Sequence, residues 1–166
     1  MYFGKETEFQ ILRFIDRHDS NHNLRFSVKR GSIMLLPEKI LIIAGVLNLA
    51  YGSLTGFPYA LARKKAEFPS RYLQAAHIGS LMQGAMLLGL VVAFRYVNLS
   101  EVLALTGASF FAISSLFLAL KDTVNWLQGI KDEFQENPIL GKSLGTIGVI
   151  ANLGGIVVIF YGVLLT

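Results

Sequence analysis

The sequence predicts an all-α integral membrane protein: a four-helix transmembrane bundle behind an N-terminal amphipathic tail. Three observations carry this. The 166 residues are 53% apolar with a mean hydropathy of +0.52, more apolar than an ordinary soluble domain. Four runs, 40–62, 72–94, 102–120 and 143–166, contain no Asp, Glu, Lys or Arg. At about 1.5 Å of rise per residue each is long enough to cross roughly 30 Å of hydrocarbon. A soluble four-helix bundle would carry charge on the outer face of each helix, and these runs carry none.

The elements follow in order. Residues 1–32 form a polar tail, and 33–166 the transmembrane domain. In the tail, Phe9, Leu12 and Ile15 stand three apart among Glu8, Arg13, Asp16 and Arg17. That spacing predicts a short amphipathic helix at the membrane interface, broken by "DSNHN". The first span is expected over about 37–60, with Pro37 in its first turn, Asn48 at mid-depth, and Pro58 kinking or ending its last turn. Pro69 helps to start the second span, about 70–95. "RYVNLSE" is a tight loop in which Ser100 can cap the third span, about 101–121. In the long third connection, Val124, Trp126, Leu127 and Ile130 suggest a short interfacial helix. The fourth span is expected over about 144–166. Gly45, Gly52, Gly79, Gly84, Gly148, Gly154 and Gly155 allow close helix approach. "GVIAN" at 148–152 faintly echoes "GVLN" at 45–48. Flanking Lys and Arg are nearly balanced between the two sides, so orientation is weakly specified.

Composition also excludes. Without cysteine there are no disulfides, thiolate nucleophiles, Cys-ligated clusters or Cys-type zinc sites. The net charge of +4 reads as flank charge for topology and membrane-lipid contact, not as nucleic-acid binding. The first apolar run starts after some thirty mostly polar residues, so the first span is expected to act as its own insertion signal. An inner or cytoplasmic membrane is the expected location.

One group inside the spans titrates near neutral pH: His77, in "RYLQAAHIGSLMQGAML". Ionisable groups at membrane depth are costly and mark function by default. At about 100° per residue, Gln74, His77, Ser80, Leu81, Gly84 and Leu88 share one face, and Gln83 lies about 120° from His77. A flat cofactor is expected to lie against Ser80 and Gly84. Arg71, about 9 Å along the helix from His77, marks a basic membrane face with Arg63, Lys64 and Lys65. Three uses of His77 fit the residues. It could be a structural histidine bonded across helices to Asn48 or Asn152. It could be an axial haem ligand in an apolar slot with basic groups for the propionates. It could be a proton relay. His18 and His22, four apart in the tail, lack a third metal ligand in sequence. Ser109, Ser114 and Ser115 have no base beside them and are expected to bond backbone or a neighbouring helix.

The stretch "QAAHIGSLMQGAMLLGLVVAF" resembles the second helix of styrene oxide isomerase and the related hydroxylaminobenzene mutases, through Ala76-His77, Gly79 and Gln83-Gly84. "GVLNLAYGSLTGF" and "GTIGVIANLGGIVVIFYG" are similar to that family in placement and texture, so the resemblance covers about 40–166. It implies a homotrimer with haem b at its subunit interfaces, His77 as the axial iron ligand, and Ser80, Gly84 and Arg71 around the cofactor. It also implies Lewis-acid rearrangement of a small hydrophobic epoxide to an aldehyde. Gln83 would then orient the oxygen, and Asn48 or Asn152 would assist from facing helices. Two departures stand out. The family's asparagine beside the substrate is Gln83 here. Its tyrosine near the end of the third helix falls at Lys121 or Asp122. A membrane haem-binding or sensor protein, or an assembly subunit, is the alternative. A transporter is disfavoured, because the span interiors hold no carboxylate, no fixed cation and no paired broken helices.

Overall fold

The computed structural model describes residues 35–65 and 69–165. The tail, with its expected amphipathic helix, His18 and His22, lies outside the described residues. The described chain is helical: α1 (Leu36–Lys65), α2 (Arg71–Tyr96), α3 (Glu101–Leu127), the short α4 (Glu133–Glu136) and α5 (Ile139–Leu164). All but α4 are long and apolar enough to cross a membrane. At 26 to 30 residues they are roughly 39–45 Å long. Their ends therefore reach past the hydrocarbon, and the charged residues sit there.

The side chains are sorted as in a membrane protein. Leu47, Leu54, Phe57, Met82, Val157 and Phe160 are mostly exposed. Asn48, Thr55, Ser80, Ser114, Ser115 and Asn125 are buried. Lipid tails solvate the large apolar groups, so the interior is left to small and polar residues that let backbones approach and bond across helices.

The pairing is antiparallel and built on glycine. A Cβ on Gly45 would meet Leu88 at 3.0 Å, one on Gly52 would meet Leu81 at 2.8 Å, and one on Gly84 would meet Leu49 at 2.7 Å. Glycine is thus the residue that lets α1 and α2 come this close. On α5 the buried Gly141, Gly148, Gly155 and Gly162 recur every seven residues, which keeps them on one seam. Gly148 takes Leu118 of α3 and Gly155 takes Phe111, each within 2.9 Å of a built Cβ. α3 is the central helix: it packs on α1, α2 and α5, whereas α5 has substantial contact with α3 only. Leu41, Leu87, Val91, Ala108 and Phe111 form the buried core where α1, α2 and α3 meet.

Three boundaries differ from the sequence expectation, the simplest being α5, which starts at Ile139, five residues before the expected 144. α1 runs through Pro58 to Lys65. A membrane helix tolerates the missing proline N–H, and Arg63, Lys64 and Lys65 complement the dipole of the last turn. α3 continues past Lys121 and Asp122 to Leu127, so Val124, Trp126 and Leu127 complete a span instead of forming an interfacial helix. Its end is set by backbone geometry. Gly129 has φ +70°, its N–H bonds Trp126 O at 3.0 Å, and the Ile130 N–H bonds Asn125 O at 3.0 Å. This is the Schellman closure, for which glycine is the natural residue. At the start of α3, Ser100 caps as expected, accepting from the Leu103 N–H. α4 is held by a reciprocal cap. Asp132 accepts from the Phe134 N–H at 2.9 Å, and Glu136 accepts from the N–H groups of Lys131 and Asp132 at 2.8 and 3.0 Å.

Candidate functional site

His77 lies on the face of α2 that packs against α1. Its Nδ1 is 2.7 Å from the Gly52 carbonyl oxygen. A carbonyl can only accept, so Nδ1 carries a proton, and in the neutral imidazole the lone pair is then on Nε2. Nε2 has no hydrogen-bond partner among the described residues. The imidazole rests on Gly56, where a built Cβ would fall 2.8 Å from Cε1, and its centroid is 5.7 Å from that of Tyr59 at 31°. The ring is half-buried. A backbone carbonyl on one nitrogen and a free lone pair on the other is the arrangement that orients a metal-ligating histidine.

The residues expected around it are dispersed. Gly84 is filled by Leu49 and by the backbone of Gly45, and Ser80 is 2% exposed. The slot that Ser80 and Gly84 were expected to leave for a flat cofactor is therefore closed by α1. Gly79 has nothing within 4 Å of a built Cβ, and its neighbours Ile78 and Met82 are exposed. By the helical period this open side of α2 points about 160° away from His77. By the helical period Gln83 shares a face of α2 with Tyr72 and Phe94: Phe94 reaches Gly107 of α3, and Tyr72 accepts from the Glu133 N–H of α4. Its Oε1, like the Ser80 Oγ, is enclosed without a hydrogen-bond partner.

Neither asparagine is brought to the imidazole. Asn48 is committed to α3: its Nδ2 donates to Ala44 O at 2.9 Å and to Ser115 Oγ at 3.1 Å. Asn152 lies on α5, which packs on α3 and not substantially on α1 or α2. Arg71 donates to the Tyr72 hydroxyl at 2.9 Å and lies 3.5 Å from Asp132, so it braces the third connection against α2. Ser115 bonds its own backbone through Ala112 O, as expected of a serine in a span.

Sequence reasoning missed a polar cluster at the far end of α3. Lys121 Nζ lies 3.4 Å from both the Asp122 and Glu133 carboxylates. Glu133 also accepts from Asn125 Nδ2 at 3.0 Å. Asn125 is fully buried with its Oδ1 unpartnered. The seven-residue glycine period on α5 was a readable signal that a seam faces α3 here. Among the described residues, no three His, Cys, Asp or Glu side chains gather to hold a metal ion directly. Among the described residues His77 is the one histidine. No protein-family model, curated protein or solved structure matches the chain. Four spans and one oriented intramembrane histidine are the features of a multi-pass membrane protein that function has to explain.

Proposed function

We propose that this is a membrane haem b protein with His77 as axial ligand, acting as an isomerase on a small hydrophobic epoxide. A homotrimer in an inner or cytoplasmic membrane, with haem between its copies, completes the reading. The observation that carries it is the His77–Gly52 bond, which orients the ring and keeps Nε2 free. Bound ferric haem would supply a Lewis acid for an epoxide oxygen. The chain's own part is narrower. The Gly52 carbonyl fixes the tautomer, Gly56 admits the ring to the helix face, and the apolar exterior around Ile78 and Met82 excludes water.

A non-catalytic haem protein is the second reading, and specific observations favour it. Gln83 and His77 lie on different faces of α2. Lys121 and Asp122, where the family's tyrosine would fall, are tied into an ion-paired cluster. Absorption spectroscopy of the detergent-purified protein tests what the two readings share. A strong Soret band that is lost in His77→Ala is expected, and a colourless protein even from haem-supplemented cells overturns both. With haem present, anaerobic conversion of styrene oxide to phenylacetaldehyde supports the isomerase. Haem without turnover on a panel of epoxides leaves the non-catalytic reading.

A further inference from the structure

A second site lies where α1 meets α3. Between α1 and α3 runs a groove of about 380 Å³, walled by Ala44, Leu47, Ala112 and Ala119, with Asn48 and Ser115 among its lining residues. Ligand sites span roughly 300–1,000 Å³, so this one suits a small molecule. Leu47 is 63% and Leu116 55% exposed, so the mouth opens sideways, towards hydrocarbon.

The polar atoms of this groove are of one kind. Ser115 Oγ donates its single hydrogen to Ala112 O at 2.8 Å. The Asn48–Ser115 bond must therefore be donated by Asn48. The other Nδ2 hydrogen of Asn48 goes to Ala44 O, an obligate acceptor, which fixes the amide orientation. Both Asn48 hydrogens are spent. Its Oδ1 makes no hydrogen bond and, unlike Ser80 Oγ, Gln83 Oε1 and Asn125 Oδ1, is not enclosed by protein. Further along, Thr123 donates to Ala119 O, so in the Tyr51–Thr123 pair the phenol donates. The groove offers acceptors and no spare donor.

We infer that this groove binds a small apolar molecule through one hydroxyl, the ligand O–H donating to Asn48 Oδ1. Alcohols and phenols dissolved in the membrane fit. Ethers, ketones and epoxides, which only accept, find no partner. This site does not use His77 and stands or falls apart from the haem reading.

Photolabelling of the full chain in detergent with a diazirine-bearing octanol tests it. Adducts are expected on residues of the groove, and His77→Ala should leave them unchanged. At equal detergent-phase concentration, 1-octanol should displace the probe about five- to tenfold better than methyl heptyl ether of the same size, the worth of one neutral hydrogen bond. Ala119→Leu, which narrows the groove without touching the Asn48–Ser115 bond, should abolish groove labelling. Equal competition by the ether overturns the inference, and so does labelling spread evenly onto lipid-facing residues such as Leu153 and Val157. Efficient disulfide cross-linking of Leu116→Cys between two copies, with no groove label, would instead make the occupant a second chain. If Ala119→Leu fails to fold, the alcohol–ether comparison on the unaltered protein still decides.

Discussion

The Asn125 carboxamide lies against the backbone of Gly141, so closely that a Cβ on Gly141 would overlap its oxygen. Asn125 is fully buried, and its nitrogen is held by Glu133, so the side chain cannot swing away without breaking that bond. Gly141→Ala is therefore expected to cost about 1–3 kcal/mol, the usual penalty of overpacking a closed contact. Gly89→Ala is the control: nothing lies within 4 Å of its Cβ position, and replacing an unconstrained helical glycine is neutral or favourable. Thermal unfolding followed by circular dichroism in detergent separates the two. Equal melting temperatures would refute the contact.

The Lys121 cluster gives a second expectation. Lys121→Met keeps the aliphatic stem over Gly145 and removes the charge, leaving the Asp122 and Glu133 carboxylates, both largely buried, without their cation. A loss of about 1–3 kcal/mol is expected, because an orphaned charge costs more than the pair contributes. Adding Glu133→Gln should restore part of that loss. A double-mutant cycle reads the coupling, and strict additivity would mean that Lys121 and Glu133 do not interact.

A third concerns the imidazole itself. In protein labelled with 15N-histidine, the neutral form of His77, assigned by its loss in His77→Ala, should show the Nδ1-protonated tautomer before haem is added. Gly56→Ala places a methyl 2.8 Å from Cε1, so the ring must move off Gly52. The tautomer preference should weaken, and haem uptake should fall in the same variant. An unchanged nitrogen spectrum would show that Gly56 does not seat the ring.

These relationships mark where the sequence stopped being readable. The spans were legible because hydrocarbon forbids unpaired charge, so charge-free runs stand out. The end of α3 was not, because Lys121 and Asp122 look like a loop until Glu133, eleven residues past Asp122, comes back to pair with Lys121. His77 was visible as a polar residue in an apolar run. Its partner was not, since the Gly52 carbonyl is backbone and leaves no mark in sequence. Asn48 or Asn152 was expected to reach His77 from a facing helix, but helix order decided otherwise. α5 packs on α3, and Asn48 turns to Ser115. The glycine period of 141, 148, 155 and 162 was present throughout and pointed to the α3–α5 seam.

The cap of α4 yields a pH dependence. The Asp132 carboxyl is held below its usual range chiefly by the Phe134 N–H, with Arg71 assisting and burial opposing. Glu136 is lowered chiefly by the N–H groups of Asp132 and Lys131. A carboxyl lowered on folding stabilises at pH above its unfolded value, about 4, and that contribution disappears as pH falls through the lowered folded value. The turn that carries α4 should therefore be fully formed at neutral pH and loosen at acid pH. Limited pepsin digestion between pH 5 and pH 2 can read this. Cleavage near Phe134 is expected to rise steeply at the acid end beyond the change in pepsin's own activity, measured on a denatured control. Asp132→Asn together with Glu136→Gln should raise cleavage at pH 5 and flatten the profile. A wild-type profile that simply tracks the control would show that the two carboxylates do not hold the turn.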